Sequence, residues 1–139
     1  MLVRLLYASR AIEPITGKML DAILGESRAH NRDHGITGVL CSYESGNGFL
    51  QVIEGGRDEI NRLYTNIVRD ARHTDIVLLD YEEIEERRFA NWRMGRIDLS
   101  KVNPSTLLRY SERPELDPMS LSARQAMALL EELISTLQG

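Results

Sequence analysis

The chain has 139 residues, enough for one domain and a short extension. Apolar residues make up 42% and charged residues 27%, with 17 basic and 21 acidic side chains and a formal net charge of −4. That balance supports a packed core and argues against nucleic acid as the main ligand, because phosphate binding calls for a basic surface.

Residues 2–9 read as an inner strand, with Val3, Leu5 and Tyr7 pointing one way and Arg4, Leu6 and Ala8 the other. Residues 17–34 read as a helix with a stripe of Leu20, Ile23, Leu24, Ser27 and Asn31, stopped by Gly35. Residues 36–43 and 49–54 are two further strands, joined by a turn at 44–48 whose residues tolerate positive φ. Asp58 is placed to cap a second helix to about Arg72, with a stripe of Ile60, Leu63, Tyr64, Ile67 and Ala71. A fourth strand follows at 76–81, then a charged, solvated turn at 82–88, then a fifth strand from Trp92 through Leu99.

This order is β-α-β-β-α-β with an added fifth strand. It predicts an α+β, ferredoxin-like fold with two helices on one face of the sheet. In that topology the first and third strands are antiparallel central neighbours, which brings Tyr7 within reach of Gln51. We draw a boundary after residue 99 and read 100–139 as a C-terminal two-helix extension. Pro104 opens its first helix, residues 112–118 form a linker, and Ser122 with Gln125 forms a capping box. The last helix carries Ala126, Met127, Leu130, Leu133, Ile134 and Leu137 on one stripe. These helices either cover the bare face of their own sheet or pair with a second copy as a homodimer.

Three polar residues interrupt faces that should be buried: Tyr7, Gln51 and Asn31. An unpaired buried amide costs on the order of 1–3 kcal/mol, so each needs a partner. Together they suit a ligand with hydrogen-bonding edges and a flat apolar body, clamped by Ile23 and Ile67. Taken singly, each also fits a satisfied core polar group. Other chemistry is thinly supported. His30 and His34 have the i, i+4 spacing of metal ligands but no third ligand, so no metal is expected. Cys41 stands in a strand without a base and reads as a structural thiol, and a lone cysteine suits a reducing cytoplasm. No apolar run reaches the roughly 20 residues that span a bilayer, and the N-terminus has no signal-peptide layout. A cytoplasmic protein without a membrane segment is expected.

In order, Leu5-Leu6-Tyr7-Ala8-Ser9, His30-Asn31, Gly35-Ile36-Thr37-Gly38-Val39-Leu40 and Phe49-Leu50-Gln51-Val52-Ile53-Glu54-Gly55 form a set that resembles the BLUF family, blue-light sensors that use FAD. Arg69-Asp70-Ala71-Arg72-His73, then Arg87-Arg88-Phe89 through Trp92-Arg93-Met94, continue the likeness, which covers roughly residues 1–99. The length resembles the short, single-domain members. The resemblance implies an isoalloxazine ring between the two helices, flanked by Ile23 and Ile67. It implies that Asn31 bonds the carbonyl end of the flavin and that Gln51 bridges Tyr7 and the N5/O4 edge. Asp70, Arg72 and His73 match a stretch near the ligand. Ser9, Trp92 and Met94 would lie near Gln51 and relay its change. Asn66 departs from relatives that carry a basic residue there, which removes a charge near the pyrimidine end.

The implied activity is photoreception, in which light draws an electron and a proton from Tyr7 and rearranges the hydrogen bonds of Gln51. The fifth strand and the tail helices would pass the change to a separate downstream protein. A small flavin-dependent redox enzyme is the alternative, and a ferredoxin-like module that has lost its ligand is a third reading.

Overall fold

The computed structural model describes residues 1–44 and 46–138, with Leu137 and Gln138 described for backbone only. Its strands are β1 (Leu2–Ala11), β2 (Thr37–Tyr43), β3 (Gly48–Gly56), β4 (His73–Ile84) and β5 (Gly95–Asp98). Its helices are α1 (Gly17–His34), α2 (Arg57–Arg69), α3 (Pro104–Leu108) and α4 (Ala123–Gln138), with 3-10 turns at Leu99–Lys101 and Pro118–Ser120. The strands form one sheet of order β4-β1-β3-β2-β5. β1 runs antiparallel to both β3 and β4, β2 is antiparallel to β3, and β5 joins parallel to β2. This is the expected ferredoxin-like sheet with its fifth strand.

The two faces of β1 and β3 are both largely apolar, and both are covered. Val3, Leu5, Phe49, Ile53 and Leu40 pack under Leu20 and Leu24 of α1 and Ile60 of α2. Leu6, Ala8, Leu50, Val52, Val39 and Cys41 pack under α4 through Leu129, Leu130, Leu133 and Ile134. The tail therefore covers its own sheet. Burial pushes the Cys41 thiol far up, as fits a packing group. Asn103 caps α3 by accepting from Ser105 N at 2.9 Å. Ser122 and Gln125 close the capping box at 3.0 and 3.1 Å. Ser45 of the turn and the Leu137 side chain of the stripe lie outside the described residues.

Helix α1 has the expected bounds. Thr16 Oγ1 accepts from Met19 N at 3.1 Å, and Gly35 leaves the helix at φ 65°. Gly38 meets β3 so closely that a Cβ would lie 2.1 Å from Val52 O.

Other boundaries move, each for a local reason. α2 starts from Gly56 with no side-chain cap among the described residues, so Asp58 sits in the first turn, where its charge suits the dipole. α2 ends at Arg69 and not near Arg72, because Asp70 turns to extended backbone, φ −68° and ψ 121°. The Asp70 carboxylate then accepts from Arg72 N at 2.9 Å and holds the chain out of the helix. β4 is longer than expected at both ends, since His73 and Thr74 pair with Ala11 and Arg10, and Glu82, Glu83 and Ile84 with Arg4, Val3 and Leu2. Its charged residues are tolerated because it is an edge strand. Trp92 and Met94 precede β5 rather than belong to it.

Candidate functional site

A cleft opens between α1 and α2 over the middle of the sheet. The register sets Tyr7 of β1 directly opposite Gln51 of β3. Their side chains share a face, since alternate strand residues point the same way. Tyr7 donates its hydroxyl to Gln51 Oε1, and Gln51 Nε2 donates to Met94 Sδ at 3.3 Å. Tyr7 and Gln51 are 4% and 5% exposed. Desolvation pushes the Tyr7 phenol far above its ordinary value, with Tyr64 and Asp70 adding to it, so Tyr7 is a neutral donor.

Asn31 reaches the cleft from α1, at 1% exposure. Its Nδ2 donates to Arg93 O at 2.6 Å. A carbonyl can only accept, so the outer atom is Oδ1, and this buried oxygen has no partner among the described residues. Ile23 from α1 and Leu63 and Ile67 from α2 form apolar walls, with Leu40 and Phe49 on the floor. Asn66, Asp70, Arg72 and His73 also line the cleft. Arg72 Nη2 binds Asp70 Oδ2 at 2.6 Å and Glu26 Oε2 at 3.0 Å, which links α1 to the end of α2. The Arg72 hydrogen bond holds the Asp70 carboxyl below its usual range.

Ten of the residues singled out from the sequence therefore meet at one cleft, namely Tyr7, Ile23, Asn31, Gln51, Asn66, Ile67, Asp70, Arg72, His73 and Met94. Ser9 and Trp92 do not line it. Ser9 is bound to His73, whose Nδ1 lies 2.8 Å from the Ser9 Oγ. The other ring nitrogen, Nε2, faces Ile67 O at 2.5 Å and must carry a hydrogen, so in the neutral ring Nδ1 accepts from Ser9. Trp92 packs against the cluster on the opposite face, with its indole N–H buried and without a partner among the described residues. Glu26, Ser27, His30, Leu63, Leu40 and Phe49 also line the cleft. The helix stripes contain Ser27 and Leu63, but their spacing cannot tell a cleft wall from a packed core. His30 stacks on His34 at 4.1 Å, and among the described residues no three metal-ligating side chains converge.

The donor set suits a flavin. A planar ring fits between apolar walls. Its ring N–H needs an acceptor such as Asn31 Oδ1, and its carbonyl and N5 edge needs a donor such as the second hydrogen of Gln51 Nε2. Similarity to known proteins agrees. A photoactivated adenylate cyclase subunit beta of Euglena longa is 37% identical over 94 residues, which is 67% of this chain and 11% of that protein. The chain thus spans about a tenth of that relative's length. The solved structure "BlsA photo-activated state" is 33% identical with a TM-score of 0.83, over 96% of this chain and 94% of that one. The solved structure "BlrB - a BLUF protein, dark state structure" is 32% identical with a TM-score of 0.78, over 97% and 96%. The family described as "BLUF: Sensors of blue-light using FAD" matches residues 2–95. With the cleft, its donor set and this match along two thirds of the sequence, the chain belongs to the BLUF family of flavin-using blue-light sensors.

Proposed function

We propose that the protein is a blue-light photoreceptor in which Tyr7 and Gln51 form the switch. The observation that carries this reading is the buried hydrogen bond from the Tyr7 hydroxyl to Gln51 Oε1, inside a cleft with apolar walls. A bound flavin would supply light absorption and a strongly oxidising excited state. Tyr7, neutral and desolvated, gives up an electron and its Oη proton more readily as a pair than as separate charges in this low-dielectric site. Gln51 carries a donor and an acceptor on one side chain, so a half-turn of its amide exchanges what faces Tyr7 and what faces Met94. Ile23 and Ile67 hold the ring, Asn31 Oδ1 accepts from its N–H edge, and Asn66, Asp70, Arg72 and His73 line its surroundings. Ser9 acts through His73, and Trp92 belongs to the relay on the far face of the sheet.

The flavin in this reading is FAD, as the family description has it, and its release followed by chromatography separates it from FMN. Residues 1–99 form the flavin-binding domain and 100–139 the helical extension. The domain acts as a sensor and not as an enzyme. The change at Gln51 passes through Met94 to β5 and the tail, and from there to a separate effector protein in the cytoplasm. One hydrogen bond is worth about 1 kcal/mol, which biases a two-state partner without driving a large rearrangement alone. The apolar stripe of α4 is occupied by its own sheet, so a homodimer through these helices would pair their outer faces. No described helix is long and apolar enough to cross a membrane.

The test is a difference spectrum of protein purified in the dark. A yellow protein that shifts slightly to the red under blue light and recovers in the dark supports the reading. A colourless protein overturns it. So does one that bleaches and turns over substrate, which is the flavin-enzyme outcome.

A further inference from the structure

Glu54 is a carboxylate with 0% exposure on the face of the sheet opposite the cleft, and the switch described above does not use it. It stands in a row across four strands, because Glu82, Arg4, Glu54 and Thr37 pair in register. Arg4 Nε donates to Glu54 Oε2 and Arg4 Nη1 to Glu82 Oε1, both at 2.9 Å. The Glu54 carboxylate also accepts two backbone N–H groups from one irregular segment. Arg88 N donates to Oε2 and Phe89 N to Oε1, each at 2.9 Å. Arg87 Nη1 donates to Thr37 Oγ1 at 3.0 Å from the same segment.

A buried carboxylate costs several kcal/mol of desolvation unless charge and hydrogen bonds offset it. What a carboxylate adds is a fixed position for the segment it grips. That segment crosses the sheet edge from one face to the other. Phe89 is buried in the cluster under α4, and Met94 is buried in the cluster under α1. Between them, Trp92 N donates to Phe89 O at 3.0 Å and Gly38 N donates to Trp92 O at 2.9 Å. Asn31 Nδ2 donates to Arg93 O at 2.6 Å and Arg28 Nε to Met94 O at 3.1 Å. Glu54 thus holds the start of the span and α1 holds its end, and the span delivers the Met94 sulfur to Gln51.

We propose that Glu54 is a positioning residue of the light switch, which fixes where Met94 stands against Gln51 and so sets how fast the amide returns in the dark. This rests on the photochemical role of Tyr7 and Gln51 proposed above. Glutamine cannot replace Glu54 here. Its amide nitrogen, placed at Oε2, confronts Arg4 and the Arg88 N–H. Placed at Oε1, it confronts the Phe89 N–H. Aspartate keeps the charge beside Arg4 but is one methylene too short to hold the same segment. In either variant the start of the span is released, Met94 packs less firmly on the amide, and the barrier to the amide's turning falls.

The experiment uses the full chain with its flavin, in wild type, Glu54→Gln, Glu54→Asp, Met94→Leu and the two double variants. Dark recovery is followed by absorbance after a blue flash. Recovery at least tenfold faster in a Glu54 variant supports the proposal, provided that in the Met94→Leu background the same change has less than a threefold effect. That loss of additivity shows that Glu54 acts through Met94. If Glu54→Gln does not fold, Glu54→Asp carries the same test. Unchanged recovery with a lowered melting temperature overturns the proposal, because it makes Glu54 a packing group only. Equal acceleration with and without Met94 also overturns it. A wild-type protein with no reversible red shift is a different result, which removes the photochemical reading on which the proposal rests.

Discussion

Tyr7 and Gln51 meet because nine residues of β1 pair in unbroken antiparallel register with β3. A shift of one residue would turn either side chain to the α4 face. Tyr7→Phe keeps the shape of the cleft and removes the phenol, so flavin should stay bound while the red shift disappears. A normal photocycle in that variant would remove Tyr7 from the switch. The same phenol gives a pH signature. Its folded pKa lies above its ordinary value of 10.0, so the folded chain keeps a proton that the unfolded chain releases once the pH passes that value. Stability contributed by the neutral phenol is therefore present below pH ~10 and lost as the pH rises further. Denaturant unfolding at pH 9 and 11 should show a larger loss for wild type than for Tyr7→Phe. Asn31 Oδ1 is buried and has no partner among the described residues. Asn31→Ala should weaken flavin binding about tenfold, in keeping with a lost buried hydrogen bond, as measured by flavin retention in a dilution series.

At the scale of elements, helix spacing and turn residues located α1, the hairpin and α4 closely. α1 ends where Gly35 takes a left-handed conformation. There is room for a Cβ there, as no heavy atom lies within 4 Å of its ideal position. Gly35→Ala should therefore cost about 1 kcal/mol through backbone strain alone, seen as a lower denaturant midpoint with an unchanged slope. The end of α2 was not legible. Its apolar stripe continues to Ala71, but the clasp of Asp70 on the Arg72 N–H and guanidinium and the hydrogen bond from Ile12 N to Arg72 O divert the chain into the sheet. The charged stretch at 82–88 also read as a solvated turn. In three dimensions Glu82 meets Arg4, while the Arg88 N–H meets a buried Glu54. Arg88 Nε further lies 3.5 Å from Glu131 of α4, so the segment that ends at Met94 touches the tail as well.

On the scale of the molecule, one sheet separates the flavin-type cleft from a second core built by the tail. Leu130 is fully buried in that second core. Leu130→Ala should destabilise the chain by about 2–5 kcal/mol, measured by chemical unfolding of the flavin-loaded protein. It should leave the dark spectrum unchanged, since none of the described side chains of α4 lines the cleft. The order of strands and helices, the amphipathic stripes, the capping box and the polar interruptions at Tyr7, Asn31 and Gln51 were all determined by the sequence, because each depends on neighbours within a few turns or on strict alternation. Only the tertiary structure decided that Met94 rather than Trp92 stands at Gln51, that Ser9 is held by His73, and that a glutamate on the far face grips the start of the segment that leads to Met94. Those outcomes depend on contacts between residues dozens of positions apart, in stretches without regular period, where local spacing carries no information about which face a side chain will reach.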